Sequence, residues 1–366
     1  MKKQISVIEI DARDAQYQSG IATYFDVLRD GMPDNITTYN IVFYRSPEFH
    51  DVRITDAGNE LQIYHPMGFP FAALFDAVLT YIWPKIKNMP NLIVKSDCLG
   101  CEQLAYMIKS RIYCKTIGVL HCQPTMNNAP GFVPANPYFN MDHIILVGDN
   151  GRKYMDYWRC TRPFSVIYNG VEKPKIKTKK PRDGVFRFIF ANGWAPHKGF
   201  AKIIPAIRQV AQQHKIQVYV MGGYSHDCES LFQEISDLPI VRMGLLTDAE
   251  KIRECYERVD CALFASRTEA CPFAGIEAMA YNLPIISTNE SACSEMFGPA
   301  ALYVDLGVGG EINSSQYAKQ MIRIIESAAL RTRLGVMGYS RFVQKYMRKP
   351  MLRDTIALYE KLTSPQ

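Results

Sequence analysis

No stretch of this chain is apolar for long enough to span a bilayer. The longest run, Phe69 to Trp83, contains Asp76 and Thr80 and is closed by Pro84, short of the roughly 20 residues a crossing helix needs. It reads as a core helix, with contact to a membrane face as the weaker alternative. No leader is expected either. The first residues, Met-Lys-Lys-Gln-Ile-Ser-Val-Ile-Glu-Ile, enter a strand at once, with no long apolar region and no small-residue cleavage site. Residence in the cytoplasm is the expectation.

A disulfide framework is also missing. The ten cysteines are scattered, and several, such as Cys261 in Cys-Ala-Leu-Phe, sit in apolar strand-like runs as small hydrophobes, which suits a reducing compartment. Cys98-Leu-Gly-Cys101 is a single CxxC with no second pair at finger-like spacing, so core packing outweighs zinc or redox chemistry. The phosphate-loop signatures are absent as well. Neither first turn, Asp11-Ala-Arg-Asp-Ala-Gln-Tyr-Gln-Ser-Gly20 or Asn192-Gly-Trp-Ala-Pro-His-Lys-Gly199, holds Gly-x-Gly-x-x-Gly, and no Walker pattern occurs. The densest basic run, from Lys173 to Arg182, carries prolines and no aromatics. It reads as a solvated linker rather than a nucleic-acid surface.

What is present describes a soluble globular protein of two domains. The chain has 366 residues, 48% hydrophobic and 21% charged, too long for one ordinary core. Its net charge of +6 suits a nucleoside diphosphate or an acidic membrane face and decides neither. Short β-rich runs alternate with helical patterns throughout. Strands are expected at Ile5–Ile10, Tyr39–Tyr44, Leu61–Tyr64, Leu92–Lys95, Thr116–Leu120, Ile144–Val147 and Phe164–Tyr168 in the first half. The second half offers Phe186–Ala191, Gln217–Met221, Val241–Met243, Cys261–Phe264, Ile285–Thr288 and Leu302–Val304. Helical faces show at Ile21, Tyr24, Phe25 and Leu28, and again at Phe200, Ile203, Ile204 and Ile207. Such alternation means α/β architecture with parallel, doubly wound sheets, which bind ligands at the carboxyl ends of their strands.

The most informative stretch runs from Ser266 to Pro284: a loop leading into a short helix, with Glu269 in the loop and Glu277 about one turn into the helix. A helix start there would aim N–H groups at an anion, and the two carboxylates could accept from sugar and ribose hydroxyls. Alone, two glutamates at this spacing are equally served by dipole complementation. The segment resembles the Glu-x7-Glu signature of retaining GT-B glycosyltransferases of the "glycosyl transferases group 1" superfamily. Glu277-Ala-Met-Ala-Tyr-Asn-Leu-Pro-Ile-Ile-Ser-Thr288 is similar to that family's Glu-Ala-Met-Ala-x-Gly-x-Pro-Val-Ile run. Further landmarks follow the family's order: Ser19-Gly20 before the first helix, His121 at a strand end, Val166-Ile-Tyr-Asn-Gly-Val171, Lys198-Gly199, and Gly244 with Leu245 and Leu246.

The resemblance implies a GT-B fold of two Rossmann-like domains facing across a cleft. Residues 1–172 would form the acceptor-side domain, 173–184 the basic linker and 185–340 the nucleotide-sugar-binding domain. Residues 341–366 would form a C-terminal helix packing back on the first domain. It implies a grip on the donor by Gly20, Lys198, Leu245, Glu269, Cys271, Pro272, Phe273, Ala274 and Glu277. Lys198 and helix N–H groups would hold the diphosphate, Glu269 and His121 the donor sugar, Glu277 the ribose. Asn169-Gly170 is a turn that shapes the hinge. One departure stands out: the family's Gly-Arg before Lys-Gly is Gly193-Trp194 here, and an indole cannot supply guanidinium donors. Either Arg13, His197 or Arg267 would then compensate, or diphosphate binding is weakened.

The implied activity is retaining sugar transfer from a nucleotide sugar, UDP- or GDP-linked, to a glycan, lipid-linked glycan, small-molecule or peptide hydroxyl. No cofactor is implied. With no Asp-x-Asp at a strand end, no metal is expected. Partners would be donor and acceptor, with no nucleic acid, no transmembrane segment, and contact at most with the inner face of the membrane. A nucleotide-sugar epimerase or a phosphorylase of the same fold, and a degenerate binding subunit marked by Trp194, remain open at this point.

Overall fold

The computed structural model describes residues 3–14, 20–98, 100–121, 136–177, 183–223 and 228–365. Ser19, Leu99, Cys122 and the 178–182 part of the basic run lie outside them. The described chain falls into two compact units, one holding residues up to Tyr168 together with Lys349 onward, the other holding Asn169–Arg348.

In the first unit, β1 (Ile5–Asp14), α1 (Gly20–Arg29), β2 (Ile36–Ser46), β3 (Arg53–Asp56) and β4 (Glu60–Pro66) are followed by α2 (Phe75–Ile86) and β5 (Leu92–Ser96). Then come α3 (Glu102–Lys109), β6 (Lys115–Leu120), β7 (His143–Leu146), α4 (Arg152–Tyr157) and β8 (Phe164–Val166). The sheet order is β3-β4-β2-β1-β5-β6-β7-β8, parallel except for β3, which runs antiparallel to β4. The chain winds outward from β1 to β2 and β4, then crosses to β5, so the winding reverses between β1 and β5. That reversal opens a crevice at the strands' carboxyl ends.

The strands expected from β-rich runs form where expected, because apolar residues buried on both faces of a parallel sheet leave little choice of register. The edge strand β3, Arg-Ile-Thr-Asp, was not foreseen: it is short, polar and largely exposed. Pro84 does not close its helix as expected. It sits inside α2, which continues to Ile86 with the Lys87 N–H still bonded to the Trp83 carbonyl at 3.2 Å. A proline in the last turn forfeits one hydrogen bond and breaks little more. The run Phe69–Trp83 is mainly core helix, with Phe75, Val78, Leu79 and Ile82 buried. Cys101 is buried and Cys98 packs against the same core; Cys98 beside it, then burial, holds the Cys101 thiol well above its ordinary range.

The second unit runs β9 (Phe186–Phe190), α5 (Phe200–Ala211), β10 (Ile216–Met221), α6 (Cys228–Glu234), β11 (Ile240–Gly244), α7 (Ala249–Arg258) and β12 (Cys261–Leu263). It continues with α8 (Phe273–Ala280), β13 (Ile285–Thr288), α9 (Ser291–Phe297), β14 (Ala301–Val304), α10 (Ser314–Glu326) and α11 (Ala328–Lys345). The order β11-β10-β9-β12-β13-β14 is parallel throughout and reverses between β9 and β12. The described part of the basic run is not a free linker. The Lys177 N–H donates to Glu257 at 2.8 Å and its ammonium pairs with Glu250 at 2.9 Å, both on α7.

The C-terminal stretch is two helices rather than one. After α11 the chain breaks at Tyr346–Met347 and resumes as α12 (Arg348–Thr363). The break lets residue 347 bridge to Val171: the Val171 N–H reaches the Tyr346 carbonyl at 3.1 Å and the Arg348 N–H returns to the Val171 carbonyl at 2.9 Å. Gly170 is required there, since a Cβ would lie 2.4 Å from the Met347 carbonyl oxygen. From Lys349 on, α12 belongs to the first unit, where Leu352 fills the space beside Gly31.

Gly199 fixes the loop between β9 and α5 against the end of β12. Its φ is +76°, and a Cβ would stand 2.1 Å from the Ala265 carbonyl oxygen. Gly199→Ala is therefore expected to lower the urea midpoint through strain of about 1–3 kcal/mol plus the clash. Gly58→Ala, at φ +87° with nothing within 4 Å, should show the strain alone. Equal midpoints for the two variants would mean that the close approach at Gly199 carries no weight.

Candidate active site

The reversal between β9 and β12 brings two loops together. The loop after β9 carries Asn192, His197 and Lys198; the loop after β12 carries Ser266, Arg267 and Glu269. They are tied by the Arg267 N–H to the His197 carbonyl at 2.9 Å, and the second is anchored by the Thr288 hydroxyl on the Ser266 carbonyl at 2.6 Å. Glu269 is 6% exposed. The Lys198 ammonium donates to Oε1 at 2.8 Å and to Oε2 at 2.9 Å. Oε1 also accepts from Ser266 Oγ at 2.6 Å and from Asn192 Nδ2 at 2.8 Å, and the same amide donates to Ser266 Oγ. Burial alone would raise the Glu269 pKa, but Lys198 and these hydrogen bonds outweigh it and hold the group below its ordinary value. The outcome is an ionised carboxylate with a cation beside it at the mouth of a parallel sheet.

The helix α8 opens next to this pair. Its entry, Cys271 to Ala274, is pinned by Asn169, whose Nδ2 donates to the Cys271 carbonyl at 2.8 Å. Cys271 and Phe273 bury their side chains, so only their backbone faces a ligand; Pro272 and Ala274 are half-buried. Gly275 lets the helix approach α9, where a Cβ would meet Met296 Sδ at 2.8 Å. One turn in, Glu277 accepts a hydrogen bond from the Tyr256 hydroxyl at 2.7 Å, and the Tyr256 ring stacks on Tyr281 at 5.0 Å and 8°. Burial raises the Glu277 pKa to about 7, against the lowering effect of Tyr256. Leu245 is exposed just beyond β11, where the Gly222 N–H bonds the Gly244 carbonyl at 2.8 Å.

Trp194 does not stand in for a ligand-binding side chain. It is 6% exposed and packs edge-on against Phe200 (4.6 Å) and Phe232 (3.9 Å) in the core. Among the three compensating groups, Arg13 lies in the first unit, paired with Asp11 at 2.6 Å. His197 is neutral at pH 7: burial first, then the charges of Lys198 and Arg267, push its pKa down to about 4. Arg267 is exposed, and its guanidinium has no carboxylate partner among the described residues. Its stem lies against Gly310, where a Cβ would stand 2.4 Å from Arg267 Cδ. Gly20 opens α1 in the first unit. His121, also there, bonds Asp97 at 2.9 Å. Asn192, Ser266 and Tyr256 were missed in the sequence. Nothing local marks Asn192 and Tyr256, because their partners are 77 and 21 residues away and the contacts exist only once the sheet has wound; Ser266, three residues before Glu269 on the same loop, was within reach of a local reading.

With Lys198, Glu269 and Glu277 gathered on one sheet edge, comparison with known proteins defines the class. Residues 172–341 match the family described as Glycosyl transferases group 1. A curated relative, the MMP alpha-(1->4)-mannosyltransferase of Mycolicibacterium hassiacum, is 23% identical over 190 residues, 50% of this chain and 46% of that protein. The chain thus matches about half the length of that relative. Among solved structures, sucrose-phosphate synthase from Thermosynechococcus elongatus is similar with a TM-score of 0.77 at 16% identity, covering 99% of both chains. The pneumococcal O-GlcNAc transferase GtfA, solved with UDP and GlcNAc, gives 0.75 at 12% identity over 99% of this chain and 100% of that one. The fold is that of GT-B glycosyltransferases. Among the described residues no helix is long and apolar enough to cross a membrane, and no cluster of three or more His, Cys, Asp or Glu side chains could hold a metal ion.

The raised Glu277 pKa has a consequence for stability. Between about pH 4.5 and 7 the folded protein holds a proton on Glu277 that the unfolded chain has released, so this group's contribution falls as pH rises through that window. Glu277→Gln keeps an acceptor for Tyr256 and abolishes the titration. Relative to wild type it should gain stability at pH 7.5 over pH 5 in urea melts. A difference that does not change between the two pH values contradicts the assignment.

Proposed function

We propose that the protein transfers a sugar from a nucleoside-diphosphate sugar to an acceptor hydroxyl, with retention of anomeric configuration and without a metal ion. The observation that carries this reading is the Lys198–Glu269 pair at the sheet reversal of a unit that matches the glycosyl transferases group 1 family, with Glu277 one turn into the helix that follows. The pneumococcal relative in fold, which holds UDP, supports a nucleotide at such an edge.

In this reading the diphosphate draws Lys198 partly from Glu269, and the freed carboxylate oxygen accepts a hydroxyl of the donor sugar. The N–H groups of Phe273 and Ala274 head α8 and face the same anion. Glu277, held on one oxygen by Tyr256, offers the other to the ribose. As the anomeric C–O bond breaks, its electron pair leaves with the diphosphate, and Lys198 stabilises the growing charge. The acceptor oxygen bonds to the anomeric carbon on the face just vacated, and its proton passes to the departing phosphate. Arg267 supplies the second cation: Lys198 is already balanced by Glu269, His197 is neutral and Trp194 is in the core. A planar guanidinium can grip two phosphate oxygens at once.

A thermal-shift panel of nucleoside mono- and diphosphates, with and without EDTA, tests this. A diphosphate at about a hundred times its Kd should add about 2.7 kcal/mol of stability. The expected result is stabilisation by one base family, insensitive to EDTA and lost in Lys198→Ala; no stabilisation by any diphosphate contradicts the reading. Metal-dependent stabilisation overturns the metal-free part alone. Arg267→Gln should weaken the diphosphate about 10- to 100-fold, the worth of one charged hydrogen-bonding contact, and leave the monophosphate of the same base unaffected. Equal losses for both would remove Arg267 from the phosphate grip.

A further inference from the structure

Cys98 and Cys101 lie between the end of β5 and the start of α3. The Cys101 N–H reaches the Cys98 carbonyl at 3.1 Å, and that oxygen also accepts from Ser96 Oγ at 3.3 Å. A chain closed by such a bond holds its first and fourth Cα atoms within about 7 Å. Disulfide-bonded cysteines span about 4.4–6.8 Å, so the backbone has the separation a bridge needs. The side chains meet as well, because the two thiols are hydrogen-bonded to each other.

The two sulfurs differ in access. Cys101 is buried and Cys98 half-buried, one of two half-buried cysteines among the eight described, so a reagent from solution reaches Cys98 first. Asp11 and Glu102 both act on the Cys101 thiol electrostatically. Asp11 has both oxygens engaged, by Arg13 at 2.6 Å and by the Ala12 N–H at 2.8 Å. Glu102, 5% exposed, has one to spare. Its Oε2 accepts the Gly100 N–H at 2.6 Å, and its Oε1 is buried with no hydrogen-bond partner among the described residues. Burial raises the Glu102 pKa to about 7, against the hydrogen bonds of its own and the Gly100 N–H groups. A carboxyl tuned there takes and returns protons readily at neutral pH. Apolar packing explains a single buried cysteine. It does not explain a second, more accessible thiol bonded to it with a carboxyl oxygen left unpaired beside them, which a core would have to desolvate at a cost.

We propose that Cys98 and Cys101 form a reversible dithiol–disulfide pair, oxidised by a low-molecular-weight disulfide, with Glu102 as the acceptor of the Cys101 proton. The Cys98 thiolate attacks one sulfur of the disulfide RSSR, giving a mixed disulfide and RS⁻, which takes up the proton that Cys98 released. Cys101 then passes its proton to the Glu102 carboxylate, and its sulfur attacks Cys98 Sγ. The second RS⁻ leaves and collects that proton. Two protein thiols become one disulfide while RSSR becomes two RSH. The pair requires no sugar substrate, so the proposal does not rest on the proposed sugar transfer. In a reducing compartment such a bond is transient, present while the thiol pool is oxidised.

Both cysteines fall on one tryptic peptide, residues 96–109, so a single mass spectrum separates every state. Reduced wild-type protein is held in glutathione buffers of rising oxidised fraction, quenched with an alkylating agent and digested. The expected product is a peptide that carries no alkyl group and is two hydrogens lighter than the dithiol. It should grow with the oxidised fraction and vanish on treatment with dithiothreitol. Cys101→Ser should instead keep glutathione on Cys98, since nothing resolves the adduct. Glu102→Gln should slow closure of the bridge about 10²-fold, the lower end of what a positioned proton acceptor contributes, and Glu102→Asp should restore part of the rate. Wild type that is fully alkylated even in oxidised glutathione alone, or that halts at the glutathione adduct, overturns the proposal, and neither outcome depends on a variant that folds. An unchanged closure rate in Glu102→Gln removes Glu102 from the step.

Discussion

Glu269 is a carboxylate almost wholly removed from water, and the second unit is arranged so that it can stay charged there. Lys198 bonds both of its oxygens, and Asn192 and Ser266 add hydrogen bonds to one of them. Lys198 and Asn192 sit on the loop leaving β9, and Ser266 on the loop leaving β12. The pair can form only if β9 and β12 are neighbours and Gly199 lets their loops touch. Removing either charge would strand the other, which is why a buried pair specifies geometry more firmly than it stabilises. The close Gly275 approach of α8 to α9 and the Asn169 bond to the α8 entry set the helix start beside that pair. In this sense the doubly wound sheet serves the ion pair, and the ion pair serves an incoming anion.

The first unit solves a similar problem with different residues. Its sheet also reverses beside β1, and there the charges alternate along the strands: Glu9, Asp11 and Arg13 on β1, Lys95 and then Asp97 at the end of β5. A period of two places them on one face, buried between sheet and helix, with Tyr359 of α12 contributing its hydroxyl to the same surroundings. Both reversals therefore carry a buried lysine or lysine-bonded carboxylate held by polar partners.

The alternation of β-rich runs and helical faces was enough to read the α/β architecture, since apolar segments of these lengths and periods have few other uses. Lys198, Glu269 and Glu277 were legible because they lie within or beside a short contiguous motif. Asn192, Tyr256 and Asp97 were not, because their roles depend on contacts made across the sheet. A signal for Asp97 and Lys95 did exist: ionisable residues in and beside a short apolar strand are costly and want a reason. The polar edge strand β3 escaped for the opposite cause, having no burial to pattern it. Pro84 and the break at Tyr346–Met347 show local rules yielding to tertiary ones: one helix tolerates a proline near its end, and another stops because residue 347 has a bridge to make with Val171. Trp194 is a departure from the resemblance whose side chain the structure places in the core, against Phe200 and Phe232.

The most direct test of the account is to follow the reaction of the wild-type protein with nucleotide sugars by proton NMR, reading nucleoside diphosphate release and the anomeric coupling of the first-formed product together. The account predicts release from the donors of one base, with the new anomeric proton in the same configuration as in the donor. Release with inverted configuration would contradict retention. Conversion of the donor to an isomer still attached to its nucleotide would show that the Lys198–Glu269 site performs a different reaction from the one proposed.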